Sequence, residues 1–227
     1  MSALVHSSTL VTAGVYLLIR LFPTIKKFPS SLTYLIIISS LTILIARIAA
    51  LIENDLKKII ALSTLRQLGV IIISLSIKLD QCTFFHLITH AIFKALMFLC
   101  AGTLIIINSH TQDLRASSNV ITQAPITTSA MLISASALAG FPFLAGFYSK
   151  DIILEIALQN QLPWLPLITL ILATVLTSTY TIRLLIVILQ RPMPPFPLNS
   201  ANTAKINLSI PTLSLALIRI FSGSLIN

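Results

Sequence analysis

Within FFHLITHAIFKALMF three basic side chains recur at four-residue intervals: His86, His90 and Lys94. On an α-helix that spacing sets them along one stripe, spread over about 12 Å of its length. A column of titratable groups at such intervals is what stepwise proton transfer requires. Burial favours the neutral form of a basic group, and a neutral lysine can accept a proton and release it when the local field changes. Two other readings of the histidines stay open. A pair at i, i+4 can bind a metal, although no third ligand accompanies it. Histidines also serve as hydrogen-bonded core residues. A lysine on the same stripe, deep in an apolar run, favours the relay.

A second group lies in SALAGFPFLAGFYSKDIILE. Gly140-Phe141-Pro142 and Gly146 interrupt an apolar run, and Lys150-Asp151 follow at once, with Glu155 one turn beyond. Proline and glycine loosen helical hydrogen bonding. Non-helical backbone at membrane depth is tolerated only against protein or a water-filled cavity, and broken helices mark ion-transport sites. Lys150 is thus a second candidate protonatable lysine; the alternative is that Lys150-Asp151 marks the membrane surface. In NDLKK, Asn54 or Asp55 can cap a helix start. Lys57 and Lys58 then sit against the helix dipole, and snorkelling to the interface is the preferred reading for Lys58. Arg66, beside Gln67, lies deeper and needs a partner that its neighbours in sequence do not supply. His6, among Ser7, Ser8 and Thr9, reads as a hydrogen-bonded histidine unless other observations give it a role.

The elements that must position these groups follow from composition. Of 227 residues, 56% are hydrophobic and only 9% charged, and mean hydropathy is +0.97. A soluble domain carries about 25% charged residues, so this chain cannot clothe a globular surface in polar groups. It reads as an all-α, multi-pass membrane bundle. Seven stretches come near the ~20 residues of a spanning helix: 2–22, 31–52, 57–77, 83–107, 125–158, 164–189 and 206–226. Pro23 is expected to close the first, and the fifth is too long for one simple span. The short alternating segments of a β-barrel are absent. Tyr34 and Trp164 near span ends fit interfacial anchoring.

The net charge of +9 comes from 15 Lys and Arg against six acids. Basic residues at helix ends and in short loops explain it; no basic stripe with interleaved aromatics points to nucleic acid. Cys82 and Cys100 belong to no CxxC or Cys/His grouping, so structural zinc and iron–sulfur ligation are not supported. No GxGxxG nucleotide fingerprint is present. No basic n-region or cleavage site of a signal peptide is visible at the start.

Four motifs, SALVHSSTLVTAGVYLLIR, NDLKKIIALSTLRQLG, FFHLITHAIFKALMFLCAG and LAGFPFLAGFYSKDIILE, closely resemble the chain 5 family of mitochondrial NADH–ubiquinone oxidoreductase. These are the distal antiporter-like membrane subunits of respiratory complex I. The motifs occur in the family's order, and the resemblance covers essentially the whole chain. It implies a fold of inverted helix repeats, each with a broken helix, and a hydrated mid-membrane line of lysines, histidines and acids. By motif, Lys57, Lys94 and Lys150 resemble residues of that line, His86 and His90 their relay neighbours, His6 a gating histidine and Asp151 the acid beside the exit-side lysine. Residues 1–227 correspond to the middle of the family's length, read as one membrane domain without the family's N-terminal helices or its C-terminal lateral helix. Arg66 stands where the family usually has a small polar residue, and Ile106 where it often has histidine.

The function this implies is proton translocation coupled to electron transfer from NADH to ubiquinone. NADH, FMN, iron–sulfur clusters and ubiquinone would belong to other subunits. Partners would be other membrane-arm subunits, the antiporter-like chain 4 above all, and the lipid of the mitochondrial inner membrane. Two alternatives remain at the level of sequence. One is a standalone cation/proton antiporter of the same superfamily. The other is a fragment without activity of its own.

Overall fold

A computed structural model describes residues 9–107, 111–114, 124–142, 144–159, 163–190 and 211–216. The described chain is helical: α1 (Leu10–Ile25), α2 (Pro29–Ile52), α3 (Leu56–Ser76), α4 (Asp80–Ile107), α5 (Pro125–Ala139), α6 (Ala145–Gln159) and α7 (Trp164–Gln190). Four of these, α2, α3, α4 and α7, contain a stretch long and apolar enough to cross a membrane, and α1 and α5 are shorter apolar helices. Residues 211–216 are helical, and the rest of the stretch at 206–226 lies outside the described residues. The all-α, multi-pass class therefore holds; among the described residues four helices are full-length spans.

Helix boundaries follow local chemistry, with three departures from expectation. α1 runs through Pro23 to Ile25. A proline in the last turn removes a single N–H bond and leaves little helix beyond it to disturb. α2 starts at Pro29, whose fixed φ suits a first helical position. α4 starts three residues early, at Asp80, an acid placed favourably in the first turn.

The stretch at 125–158 splits after Ala139. Gly140 adopts φ +95°, a left-handed conformation that favours glycine. Phe141 N donates to Ser136 O at 3.1 Å and Gly140 N to Ala137 O at 3.2 Å. This is the paired bonding of a glycine-terminated helix. Gly146, in contrast, does not break the chain; it lies inside α6. Its missing side chain is required by packing instead, because a Cβ there would sit 1.8 Å from Ala137 O.

α4 packs against α1, α3, α5 and α6, while α3 lies among α1, α2, α4 and α7. The bundle is apolar outside: Ile37, Ile38, Ile45 and Ile48 on α2, and Leu165, Ile168, Val175 and Ile182 on α7, are exposed. Trp164 and Tyr34 are exposed near the starts of α7 and α2. The interior is rich in small hydroxyl residues, among them Ser39, Ser40, Ser63 and Ser74. Small residues let helices approach closely where lipid supplies no hydrophobic drive for their association. Ser74 Oγ and Thr83 Oγ1 share a hydrogen bond of 2.9 Å between α3 and α4.

One end of the bundle is tied by a cation that sequence reasoning did not single out. Arg183, on α7, donates to Leu51 O at 2.7 Å and to Asn54 Oδ1 at 2.9 Å. Leu51 belongs to the last turn of α2, where free carbonyls attract a cation. Leu56 N donates to Gln112 O and Leu114 N to Asn54 O. Asp55 takes the N-cap position of α3 without a capping bond.

Candidate functional site

Lys94 is fully buried. Its ammonium donates to Ser63 Oγ and reaches Ile60 O at 3.4 Å. Ser63 in turn donates to Ile60 O of its own helix at 2.7 Å, which leaves the hydroxyl oxygen free to accept from the lysine. The stripe on α4 is real: His90 and His86 are buried one and two turns before Lys94, with ring centroids 6.4 Å apart. His86 Nδ1 shares a 2.9 Å hydrogen bond with Ser149 Oγ on α6. Among the described residues His86 Nε2 and both ring nitrogens of His90 have no hydrogen-bond partner, so each can take up or pass on a proton or bind a water.

Ser149 adjoins Lys150, which is also buried. The Lys150 ammonium donates to Leu138 O and to Thr177 Oγ1 at 3.4 Å. The helix break explains the first bond. In an unbroken helix Leu138 O would accept from the N–H four residues on, but that residue is Pro142, which has none. The proline thus frees a carbonyl at the negative end of α5, and α6 returns a lysine to it. Both lysines are held alike, by one backbone carbonyl and one hydroxyl.

Arg66 has its partner on α7: its guanidinium carbon lies 4.7 Å from the centroid of the Tyr180 ring, a cation–π geometry. Arg66 is buried, and among the described residues its Nε and Nη2 find no hydrogen-bond acceptor. His90 lies within electrostatic reach of Lys94, His86, Lys150 and Arg66. The structure therefore gathers His86, His90, Lys94 and Lys150 into one buried group and adds Arg66 to it. Ser63, Ser149, Thr177 and Tyr180 complete the group. Nothing in their local sequence marks them, because each acts across an interface between helices distant in the chain.

The remaining expected residues stand apart. Lys57 is half-buried in the first turn of α3, about 9 Å along the axis from Ser63, and does not join the group. Lys58 is exposed and pairs with Asp55 at 3.0 Å and Glu53 at 3.6 Å, as interfacial placement predicts. Asp151 is exposed; among the described residues it forms no ion pair with Lys150, although it lies within electrostatic reach of it. Adjacent residues on a helix point about 100° apart, so burial of Lys150 turns Asp151 outward. Glu155 is exposed as well. His6 lies outside the described residues. Among the described residues no group of three His, Cys, Asp or Glu is placed to hold a metal ion.

The chain as a whole is similar to known proteins. The chain is 42% identical over 226 residues to NADH-ubiquinone oxidoreductase chain 5 of Pongo pygmaeus, covering 99% of this chain and 36% of that protein. It is 43% identical over 226 residues to the chain 5 protein of Lumbricus terrestris, covering 98% and 39%. The chain thus spans under two fifths of the length of these curated relatives. Its fold matches a chain in the structure of an Mrp complex from Dietzia sp. with TM-score 0.81 at 20% identity, covering 93% of this chain and 48% of that one. It matches a chain of respiratory complex I from Thermus thermophilus with TM-score 0.65 at 20% identity, covering 86% and 44%. A family model described as NADH:quinone oxidoreductase/Mrp antiporter, TM, fits residues 1–177. A buried lysine–histidine line across a broken helix, that match and these relatives together place the chain in the NADH:quinone oxidoreductase/Mrp antiporter family of membrane subunits.

Proposed function

We propose that this chain is the central membrane portion of an antiporter-like subunit of a respiratory complex I, and that it carries protons through its buried basic group. One observation carries the reading. Lys94 and Lys150 are both buried, and the segment between them is lined by His90, His86 and Ser149. A proton leaving Lys94 meets His90 one turn along α4, then His86 and its partner Ser149. The last step to Lys150, whose side chain leaves α6 about 100° round from Ser149, falls to water. The gaps at His90 fall to water. Leu138 O, freed by Pro142, steadies the charged form of Lys150. Asp151 acts at most from the exposed side. NADH oxidation and quinone reduction would belong to other subunits of the complex. The partners are neighbouring membrane-arm subunits, foremost the antiporter-like chain 4, in the mitochondrial inner membrane. The names of the curated relatives support this over a standalone cation/proton antiporter.

The test uses the full-length subunit in its assembled complex. Lys94→Ala and Lys150→Ala are each expected to lower the number of protons moved per NADH oxidised. A normal ratio in both variants would sink the reading.

A further inference from the structure

Arg66 differs in kind from the other buried bases. Lysine and histidine can be neutral, but a guanidinium keeps its charge inside a protein. No acid shares the interior with it: Glu53 and Asp55 are half-buried, and Asp80, Asp113, Asp151 and Glu155 are exposed.

Its position is equally particular. Ser63, Arg66 and Gln67 lie at i, i+3 and i+4, on one face of α3. Ser63 holds Lys94. Gln67, with Lys150 and Thr177, lines a cavity of about 10 Å³, close to the room one water needs, and among the described residues Gln67 Oε1 has no hydrogen-bond partner. α7 repeats this order: Tyr180 carries Arg66, and Thr177, three residues earlier, holds Lys150. On both helices Arg66 therefore stands beside the contacts of the two lysines. The charged and titratable groups within its electrostatic reach are Lys94 and His90 of α4, Lys150 of α6, Tyr180 of α7 and Arg47 of α2. The Arg20 of α1 is exposed over Tyr16, and α5 has no titratable side chain.

We propose that Arg66 is a positioning residue whose permanent charge limits the buried group to one further proton at a time, so that Lys94 and Lys150 are charged alternately and never together. This rests on the proton-transfer reading given above. With one fixed positive charge present, a proton on either lysine is a second charge in a medium that screens poorly. A third would have to share that space with no acid of this chain buried beside it. A proton reaching Lys150 therefore requires that Lys94 has already released its own, which gives the line an order of events.

The experiment measures protons moved per NADH against pH, in proteoliposomes holding the assembled complex with the full-length subunit. Arg66→Gln and Arg66→Met both remove the charge but leave side chains of different polarity. Both are expected to move the alkaline limb of proton translocation upward by about one pH unit, a tenfold change in proton affinity, with NADH oxidation retained. Assembled variants with an unshifted profile would overturn the proposal. So would a shift in only one of the two, which would point to shape or polarity, and so would failure of both to assemble, which would make Arg66 a structural residue. Lys94→Ala and Lys150→Ala in the same series separate the two ideas. If those lower pumping while the Arg66 variants keep the wild-type profile, only this inference fails. If those leave pumping normal, the proton-transfer reading itself fails.

Discussion

Lys94 and Lys150 are each buried behind one hydroxyl and one carbonyl, a set of acceptors that solvates an ammonium without neutralising it. A charge placed in a spanning helix costs about 2.5–3.5 kcal/mol on insertion scales. Two such lysines and an arginine are therefore a standing burden on the fold, borne where function needs them. Among the described residues the line has one directly bonded joint between α4 and α6, the hydrogen bond between His86 and Ser149. Ser149→Ala is expected to slow proton translocation about fivefold, the rate equivalent of the ~1 kcal/mol net worth of one hydrogen bond, while assembly is retained. Turnover measured beside subunit content in isolated membranes would show it; unchanged turnover would remove Ser149 from the path. His86, His90, Lys94 and Lys150 were legible in the sequence, because a charge within an apolar run is conspicuous without any structure. Ser63, Thr177 and Tyr180 were not, because a hydroxyl or ring in a membrane helix is unremarkable until its partner is known. Arg66 was visible as a problem. Its solution, Tyr180, lies on another helix, with no local pattern to announce it.

At the scale of elements, the break between α5 and α6 does two things at once. Gly140 turns the chain, and Pro142 deprives Leu138 O of its helical donor, which Lys150 then replaces. Gly-Phe-Pro made the break itself readable. Gly146 was misread as part of it because sequence cannot distinguish a glycine that bends the chain from one that admits a neighbour. Close approach of α6 to Ala137 O is a tertiary fact, and the two kinds of position respond differently to substitution. Gly146→Ala is expected to push α6 off α5 and destabilise the subunit by roughly 1–3 kcal/mol, as overpacking does. It should also lower proton translocation by shifting Lys150 away from Leu138 O. Thermal stability of the purified complex checks the first effect; a variant as stable as wild type would mean that α6 is free to adjust. Likewise, the resemblance sets Asp151 beside Lys150 as the exit-side acid; on α6 the two side chains leave about 100° apart, so Asp151 acts on Lys150 through its charge from the exposed side and not as an ion-pair partner. Lys57 sits in the first turn of α3, where interfacial and axial roles look the same until depth is known.

At the scale of the molecule, the bundle is apolar outside, and its apolar core holds buried hydroxyl and basic side chains, with α3 and α4 at its centre. α3 touches the group at Ser63, Arg66 and Gln67, α4 at His86, His90 and Lys94, α6 at Ser149 and Lys150, and α7 at Thr177 and Tyr180. Composition alone established the class of the chain, and the four motifs its family. The spatial convergence of four helices on one buried cluster needed the structure. The central claim is that Lys94 and Lys150 belong to one path in series, rather than to two independent ones. It is tested most directly by the protons moved per NADH in the assembled complex carrying Lys94→Ala, Lys150→Ala and both together. Steps in series are not additive, so the double variant should lose no more than the worse of the two single variants. A double variant that loses the sum of the two separate deficits would contradict the account.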